Sequence, residues 1–423
     1  MSKSFLNDLP ELRDAGVIDE ETAQRIRVYY AEKGDASSDR QKIVLSILGA
    51  VLIALGFILV VSYNWEALSQ DVRAGIVFGM LASAQILCGF TLWKRSDSVL
   101  WRESAGAVLF LVAGATIPLI SGIYHLSGST QSFLLLWLLI GVPIVFIMNS
   151  TVTAILSVGV ITVYFTQLGY HTTGIERYYP WMFLLPVAIF GYYQLKRQSI
   201  SVFVRMLHWF IPISVLIMLS SFISGADELA KISYAAVCSI FYLIAFNKPF
   251  AGAGKLDNPY RIVGLVGSTI LLLVLSFHSS WGDVDLSKLW QPIPILKTAL
   301  LFLTAEALLI RTRKSFALTS DPFDYIFTIV TIAVILQMVY PILAFIWINL
   351  FLVFLAWKLI SEGAKSMDFG TLNFGLLIAV IQIISRFFDS NVSSLIRGLV
   401  FIALGVAFIG INLYFLKRKK EEQ

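Results

Sequence analysis

Few ionisable side chains fall inside the long apolar stretches of this chain, and those few are where chemistry could occur. Glu306 is the deepest: it lies nine residues after Lys297 and five before Arg311, about 7 Å from the near end of its stretch at roughly 1.5 Å per residue. An ionisable group at such depth is costly and marks a functional candidate. Two readings are open: a carboxylate that couples to a proton or cation, or one that reaches toward Arg311 or Arg313 or bonds to a neighbouring helix. A second group is Gln382, Arg386 and Asp389, spaced i, i+4, i+7 so that they stack on one helical face, with Arg397 opening the next apolar stretch. Asn64, Trp65, Glu66, Asp71 and Arg73 are expected at the same level. Such a cluster could bind an anionic headgroup or solute, since arginine makes paired bonds to phosphate or carboxylate. The alternative is an Arg386–Asp389 pair at the interface, with the arginine snorkelling to headgroups.

Other reactive types are sparse. Three of the four histidines, His125, His171 and His278, follow odd-numbered apolar stretches, and His208 stands alone near the opposite level. Zinc would require them to converge, and their sequence separation gives no sign of it. Cys88 and Cys238 both lie inside apolar runs, so neither a disulfide framework nor a cysteine metal site is indicated. There is no P-loop, no His-Glu-x-x-His and no Gly-x-Ser-x-Gly, and no paired histidines within the spans for a redox cofactor. The expectation is a protein without catalytic motif, cofactor or metal.

The elements that must hold these residues follow from composition. Of 423 residues 57% are hydrophobic and 14% charged, where a soluble domain has roughly 25% charged, and mean hydropathy is +0.79. A soluble enzyme with a polar skin is excluded. A membrane-spanning helix needs roughly 20 apolar residues, and fourteen such stretches are present: 43–63, 72–93, 104–124, 132–149, 151–169, 180–195, 202–223, 231–247, 260–278, 294–312, 322–340, 342–360, 370–388 and 394–416. They lack the period-two alternation of barrel strands. The fold class is therefore all-α, a polytopic transmembrane bundle.

Charge orients it. With the N-terminus inside, 25 of the 32 Lys and Arg residues fall on the cytoplasmic side and 7 on the other, as the positive-inside rule requires. Both termini are then cytoplasmic. The net charge of +5 is explained by loops and calls for no nucleic acid. Trp65, Trp93, Trp101, Trp181, Trp209, Trp281, Trp290 and Trp357 fall near helix ends, the depth indole prefers, while Trp137 and Trp347 are expected to pack between helices.

Residues 1–42 precede the first span and 417–423 form a basic tail after the transmembrane domain of 43–416. Leu6, Leu9 and Leu12 give a first short helix that Gly16 can end. Asp19 is a candidate N-cap for a second, with Glu20 and Glu21 in its first turn. This hairpin within 5–34 is either a solvated cap or a site for self-association or for docking another protein. The run Leu9-Pro-Glu-Leu-Arg-Asp-Ala-Gly16-Val-Ile-Asp-Glu-Glu, then Gln24-Arg-Ile-Arg, Leu48-Gly49-Ala-Val-Leu-Ile-Ala-Leu-Gly56, and Tyr63-Asn64-Trp65 with Leu68, resembles the start of a bacterial integral-membrane family known as a domain of unknown function (DUF2157). Arg386-Phe-Phe-Asp389 and Arg397-Gly-Leu-Val-Phe401 also resemble that family. The resemblance implies a bacterial inner-membrane protein in contact with the lipid bilayer and supplies no activity.

Backbone features add weaker signals. Gly49 and Gly56, like Gly398 and Gly405, sit seven apart in octets that agree at six of eight positions; small residues so spaced let helices approach closely. Pro118, Pro143, Pro186 and Pro212 lie inside spans and kink them, and Gly114 to Gly122 around Pro118 could be the broken helix of a transporter site. Fourteen kinked spans with few charges and no ATP site suit a secondary transporter or a lipid or solute flippase. The other class of reading is a membrane scaffold or envelope-associated partner that recruits proteins through its N-terminal hairpin.

Overall fold

In the computed structural model, the described residues are 68–169, 174–196, 202–223, 227–246, 258–285, 289–316 and 321–389, with short stretches at 19–25, 44–49 and 51–53 and a few isolated positions. Every regular element among them is helical. From Gln70 onward twelve α-helices follow one another: α1 (Gln70–Lys94), α2 (Val99–Ile123), α3 (Thr130–Met148), α4 (Thr151–Leu168), α5 (Tyr179–Lys196), α6 (Val202–Phe222), α7 (Asp227–Ile244), α8 (Pro259–Leu275), α9 (Pro292–Phe316), α10 (Ile326–Val339), α11 (Pro341–Ser366) and α12 (Phe369–Asp389). Each overlies one apolar stretch of the sequence. Of the first expected span, 44–49, 51–53, 55, 56 and 59 are described, all helical, while most of the last expected span, most of the expected first hairpin helix, Gly16 and the basic tail lie outside the described residues.

Among the described residues, eight segments are long and apolar enough to cross a membrane by length and composition: those of α1, α2, α3, α4, α6, α9 (Pro292–Arg313), α10 with its preceding turn (Pro322–Val339), and α11. At 25 residues, α1 and α2 are each about 37 Å long, more than the roughly 30 Å hydrocarbon core. The other four are weaker for visible reasons. α7 carries Asp227, Glu228 and Lys231 in its first turns, and α8 has 17 residues. Tyr179, Tyr192, Tyr193, Gln194 and Lys196 dilute α5, and α12 is apolar over Phe369–Ser385 and ends in Arg386 and Asp389. Fourteen spans and the orientation of the termini thus remain expectations beside eight segments that meet the criterion.

The chain divides into two compact units, Met1–Tyr164 with Leu185–Gly191, and Phe165–Leu184 with Tyr192–Gln423. In the first, α1, α2 and α3 run as successive antiparallel neighbours. Gln70 Nε2 donates to the Ile123 carbonyl at 3.3 Å, joining the start of α1 to the end of α2. Ser129 caps α3 by accepting from the Ser132 amide, as serine does at helix starts. Asn149 ends α3 in the left-handed region, φ 48°, which asparagine tolerates better than most residues, so only Asn149 and Ser150 separate α3 from α4.

Packing between α2 and α3 is tight because two glycines lie under rings. A Cβ at Gly114 would sit 2.2 Å from the Trp137 ring, and one at Gly141 2.4 Å from the Phe110 ring. The Trp137 indole N–H donates to the Phe110 carbonyl at 2.9 Å. With Leu138 and Val145 fully buried beside them, these contacts form the heart of this unit.

In the second unit α7 is the central helix, with α8, α9 and α10 around it. Ala235, Ala236, Tyr242 and Leu243 of α7 are buried with Phe323, Phe327 and Val330, and with Ile348 and Leu352 of α11. Gly264 brings α8 against the Cys238 carbonyl and Tyr242 backbone of α7, and Gly363 and Gly375 do the same for α11 and α12. Asn258 caps α8 through the Arg261 amide and donates to the Ala245 carbonyl. Asp321 and Asp324 form a capping box at a 3₁₀ turn, Pro322–Tyr325, and the Tyr242 hydroxyl donates to Asp321 at 2.7 Å.

Candidate functional site

In the first unit the tight packing of α2 on α3 ends above Gly114. Pro118 has no N–H, so the Gly114 carbonyl loses its helical donor, and beyond this point the helices leave an open cleft of about 1000 Å³. Phe78 of α1, Ile117, Pro118 and Ile120 of α2, and Phe133 and Leu136 of α3 supply its apolar wall. The connection between α2 and α3 supplies a polar rim that includes His125, Ser129, Thr130 and Ser132. This rim is ordered locally: the Leu126 amide donates to the Ser121 carbonyl and the Ser121 hydroxyl to the Leu126 carbonyl, both at 2.9 Å. His125 is held with φ 51°, and the Ser129 and Ser132 hydroxyls lie 3.0 Å apart. The stretch around Pro118 read from the sequence as a broken helix is instead continuous α2 to Ile123, and it forms one wall of the cleft.

At the other end of α2 lies a group the sequence reading passed over. Glu103 is 4% exposed. Its carboxylate accepts from the Ser150 hydroxyl at 2.6 Å, the Thr151 amide at 3.0 Å and the Val152 amide at 2.8 Å. Ser150 accepts in turn from the amide and hydroxyl of Thr153. The first turn of α4 has no acid of its own. Glu103 supplies one from another helix and meets the free amides and positive end of the dipole there. Gly106, whose Cβ would lie 2.7 Å from the Thr153 hydroxyl, lets the two helices close on this contact. Because Glu103 falls at the edge of an apolar run beside Arg102, it reads from sequence as a loop charge.

Of the polar residues picked out by sequence, Glu306 and Gln382 have described side chains. Glu306 is half-buried on α9. Gln382 is buried on α12 and donates to the Asn349 backbone carbonyl of α11 at 3.0 Å, while Asn349 donates to the Ser276 carbonyl at 3.1 Å. This sealed amide chain ties α12, α11 and the end of α8. Arg386 and Asp389 lie on α12 with side chains outside the described residues, and Asn64, Trp65, Arg397, Gly398 and Gly405 also lie outside them. Gly49 and Gly56 are helical, and a Cβ at either would meet nothing within 4 Å among the described residues.

Two lysines of the second unit are embedded in polar contacts that sequence reading counted only as loop charge. Lys231 donates to the Ser280 carbonyl at 2.8 Å and to Gln337 Oε1 at 3.3 Å, and lies 4.5 Å from the Trp281 ring centre. Gln337 donates onward to the Gly282 carbonyl. Lys297 donates to the Phe222 carbonyl at 2.8 Å and the Tyr178 hydroxyl at 2.9 Å. It thereby caps the C-terminal end of α6, where the dipole favours a cation, and its hydrogen bond draws the Tyr178 phenol below its ordinary range. Trp281, expected at an interface, is buried and donates to the Leu275 carbonyl. Trp137 and Trp347 pack between helices as expected, the latter donating to Ile329. Among the described residues no group of three or more His, Cys, Asp or Glu is disposed to hold a metal ion. Near the N-terminus, Asp19 accepts from the Thr22 amide at 3.1 Å, which makes it the N-cap of the helix at 20–25, and Arg13 pairs with Glu20 at 3.2 Å.

Together the apolar helices define a multi-pass helical membrane protein. Within that class, residues 10–154 match the family described as "Predicted membrane protein (DUF2157)", the family that the N-terminal motifs resemble. The matched stretch contains the cleft, Glu103 and Ser150, and stops short of the C-terminal motifs. No curated protein and no solved structure matches the chain.

Proposed function

We propose that this chain is a fourteen-span protein of the bacterial inner membrane, with both termini in the cytoplasm. We assign it the role of a secondary transporter or flippase for a small lipid or amphipathic solute, with the cleft of the first unit as its outward-facing mouth. The observation that carries this reading is the cleft itself, about 1000 Å³ between α1, α2 and α3, walled on one side by the Pro118 turn of α2, which continues as a helix to Ile123. A concave, mostly apolar site with a few polar groups is the usual form of a small-molecule site. The positive-inside count supports putting the His125 end on the outer side. Glu306 is then the candidate coupling carboxylate, and Arg386, Asp389 and Arg397, with Asn64 and Trp65, are candidates for a headgroup contact near the same face.

The second reading, a scaffold that recruits partners through residues 5–34, is favoured by the sealing of Gln382 against Asn349, which removes one residue from any transport path. The test is complementation of a deletion strain profiled for lipid, envelope and solute phenotypes, with uptake measured in proteoliposomes. The transporter reading expects Ile117→Trp, which fills the cleft, and Glu306→Gln to abolish function, while a chain lacking residues 1–34 retains it. The reverse pattern overturns it in favour of the scaffold.

A further inference from the structure

The cleft has a charge character as well as a shape, and this deepens the reading above, on which it rests. Among the described residues that line it, none of the fifteen is Asp, Glu, Lys or Arg; His125 is the one ionisable side chain among them, and the rest are apolar, glycine or hydroxyl-bearing. Sites for phosphate or carboxylate headgroups supply Arg or Lys, whose paired charge-assisted bonds offset the loss of water. A charged group brought into a partly desolvated cleft without a counter-charge pays a penalty that nothing here returns. Hydroxyls, by contrast, both donate and accept, and so match an alcohol, ester or carbonyl.

Polarity is also segregated along the cleft. Phe78, Ile117 and Leu136 line its apolar part, and His125, Ser129 and Ser132 stand at the rim. The volume lies at the upper end of small-molecule sites, roughly 300–1,000 Å³, which suits a single-chain lipid and far exceeds an inorganic ion.

We infer that the cleft binds an uncharged single-chain amphipath of the monoacylglycerol class. Its chain lies along Phe78, Ile117 and Leu136, and its hydroxylated head bonds to His125, Ser129 and Ser132.

The test uses the full-length protein in nanodiscs and a monoacylglycerol carrying a photoreactive group in its chain, with labelled peptides located by mass spectrometry. Labelling is expected within residues 116–136, reduced about tenfold by Ile117→Trp. Unlabelled monoacylglycerol should compete about tenfold better than lysophosphatidylglycerol of the same chain length, one decade being the modest end of the penalty for an unmatched charge. Ser132→Val, which leaves the cleft open, should weaken competition by monoacylglycerol while preserving the melting temperature, so that a folding defect in the tryptophan variant cannot mimic the result. Equal or better competition by lysophosphatidylglycerol overturns the uncharged class and leaves the cleft as a ligand site. Labelling spread evenly over lipid-facing helices, or unchanged in Ile117→Trp, overturns the cleft as a ligand site altogether.

Discussion

Glu103 and Ser150, 47 residues apart in sequence, meet at 2.6 Å in the first unit. The contact is one of three that the carboxylate accepts, and two of them are backbone amides with no partner inside their own helix. Glu103→Ala should therefore leave three donors buried and unsatisfied. Hydrogen bonds to charged groups contribute roughly 1.5–3 kcal/mol each in soluble proteins, and membrane values run lower. A loss of about 2–4 kcal/mol is expected for Glu103→Ala, read from thermal unfolding in detergent. Glu103→Gln, which can accept but brings two donors of its own, should fall between it and wild type. An unchanged Glu103→Ala melting temperature would show that the network contributes nothing.

Glycines in this chain differ in what they face, and substitution should separate them. Gly114→Leu drives carbon into the Trp137 ring and should cost about 1–3 kcal/mol, the usual range for overpacking, with part of the loss recovered when Trp137→Ala is added. Gly49→Ala and Gly56→Ala face open space among the described residues and should stay within about 0.5 kcal/mol of wild type. A destabilised Gly49→Ala would point instead to a partner helix at that face.

Lys231 and Gln337 should behave as a coupled pair. Lys231→Met leaves Gln337 and the Ser280 carbonyl without a donor, and Gln337→Leu removes one of two acceptors from the lysine. A double-mutant cycle on unfolding free energies should give a coupling of about 0.5–2 kcal/mol. Simple additivity would mean the 3.3 Å contact carries no energy of its own.

The N-terminal helix should respond to acid. Hydrogen bonding from Thr22 holds the Asp19 carboxyl below its ordinary value of 3.8. A carboxylate depressed in the folded state contributes stability above its unfolded pKa and loses it as pH falls through the folded one. Protection of the Thr22 amide from hydrogen exchange, corrected for the intrinsic rate, should therefore decline as pH falls below about 4. Asp19→Asn, which caps without titrating, should hold its protection constant across the same range.

Hydropathy was enough to locate α1 to α12, because a bilayer demands long apolar runs whatever their packing. Local capping chemistry was enough for Asp19, whose cap is decided by residues adjacent in sequence. Glu103 was hidden for the opposite reason, since its partners arrive from the start of another helix. The available signal was at the far end: Asn149-Ser150-Thr151 opens α4 with hydroxyls and no acid, a helix start whose carboxylate must come from elsewhere. Seven-residue spacing is shared by Gly49 with Gly56 and says nothing of what lies opposite, whereas Gly114 and Gly141 matter because Trp137 and Phe110 stand across from them. Gln382 stands out in an apolar stretch, yet the Asn349 backbone that it bonds to lies 33 residues away.

The same Glu103 contact sets a schedule for how the protein is made. Chains grow at roughly 5–20 residues per second, so the 47 residues from Glu103 to Ser150 take about 2–9 s to synthesise. For the part of that interval after Ile123, α2 is complete while the amides that hold its carboxylate do not yet exist. The helix must wait at the membrane surface, or with its acid hydrated in the insertion machinery, until the two-residue turn at Asn149 and Ser150 brings α4 alongside. For the first unit, α2, α3 and the start of α4 are in this sense a single package for insertion, closed by its last arrival.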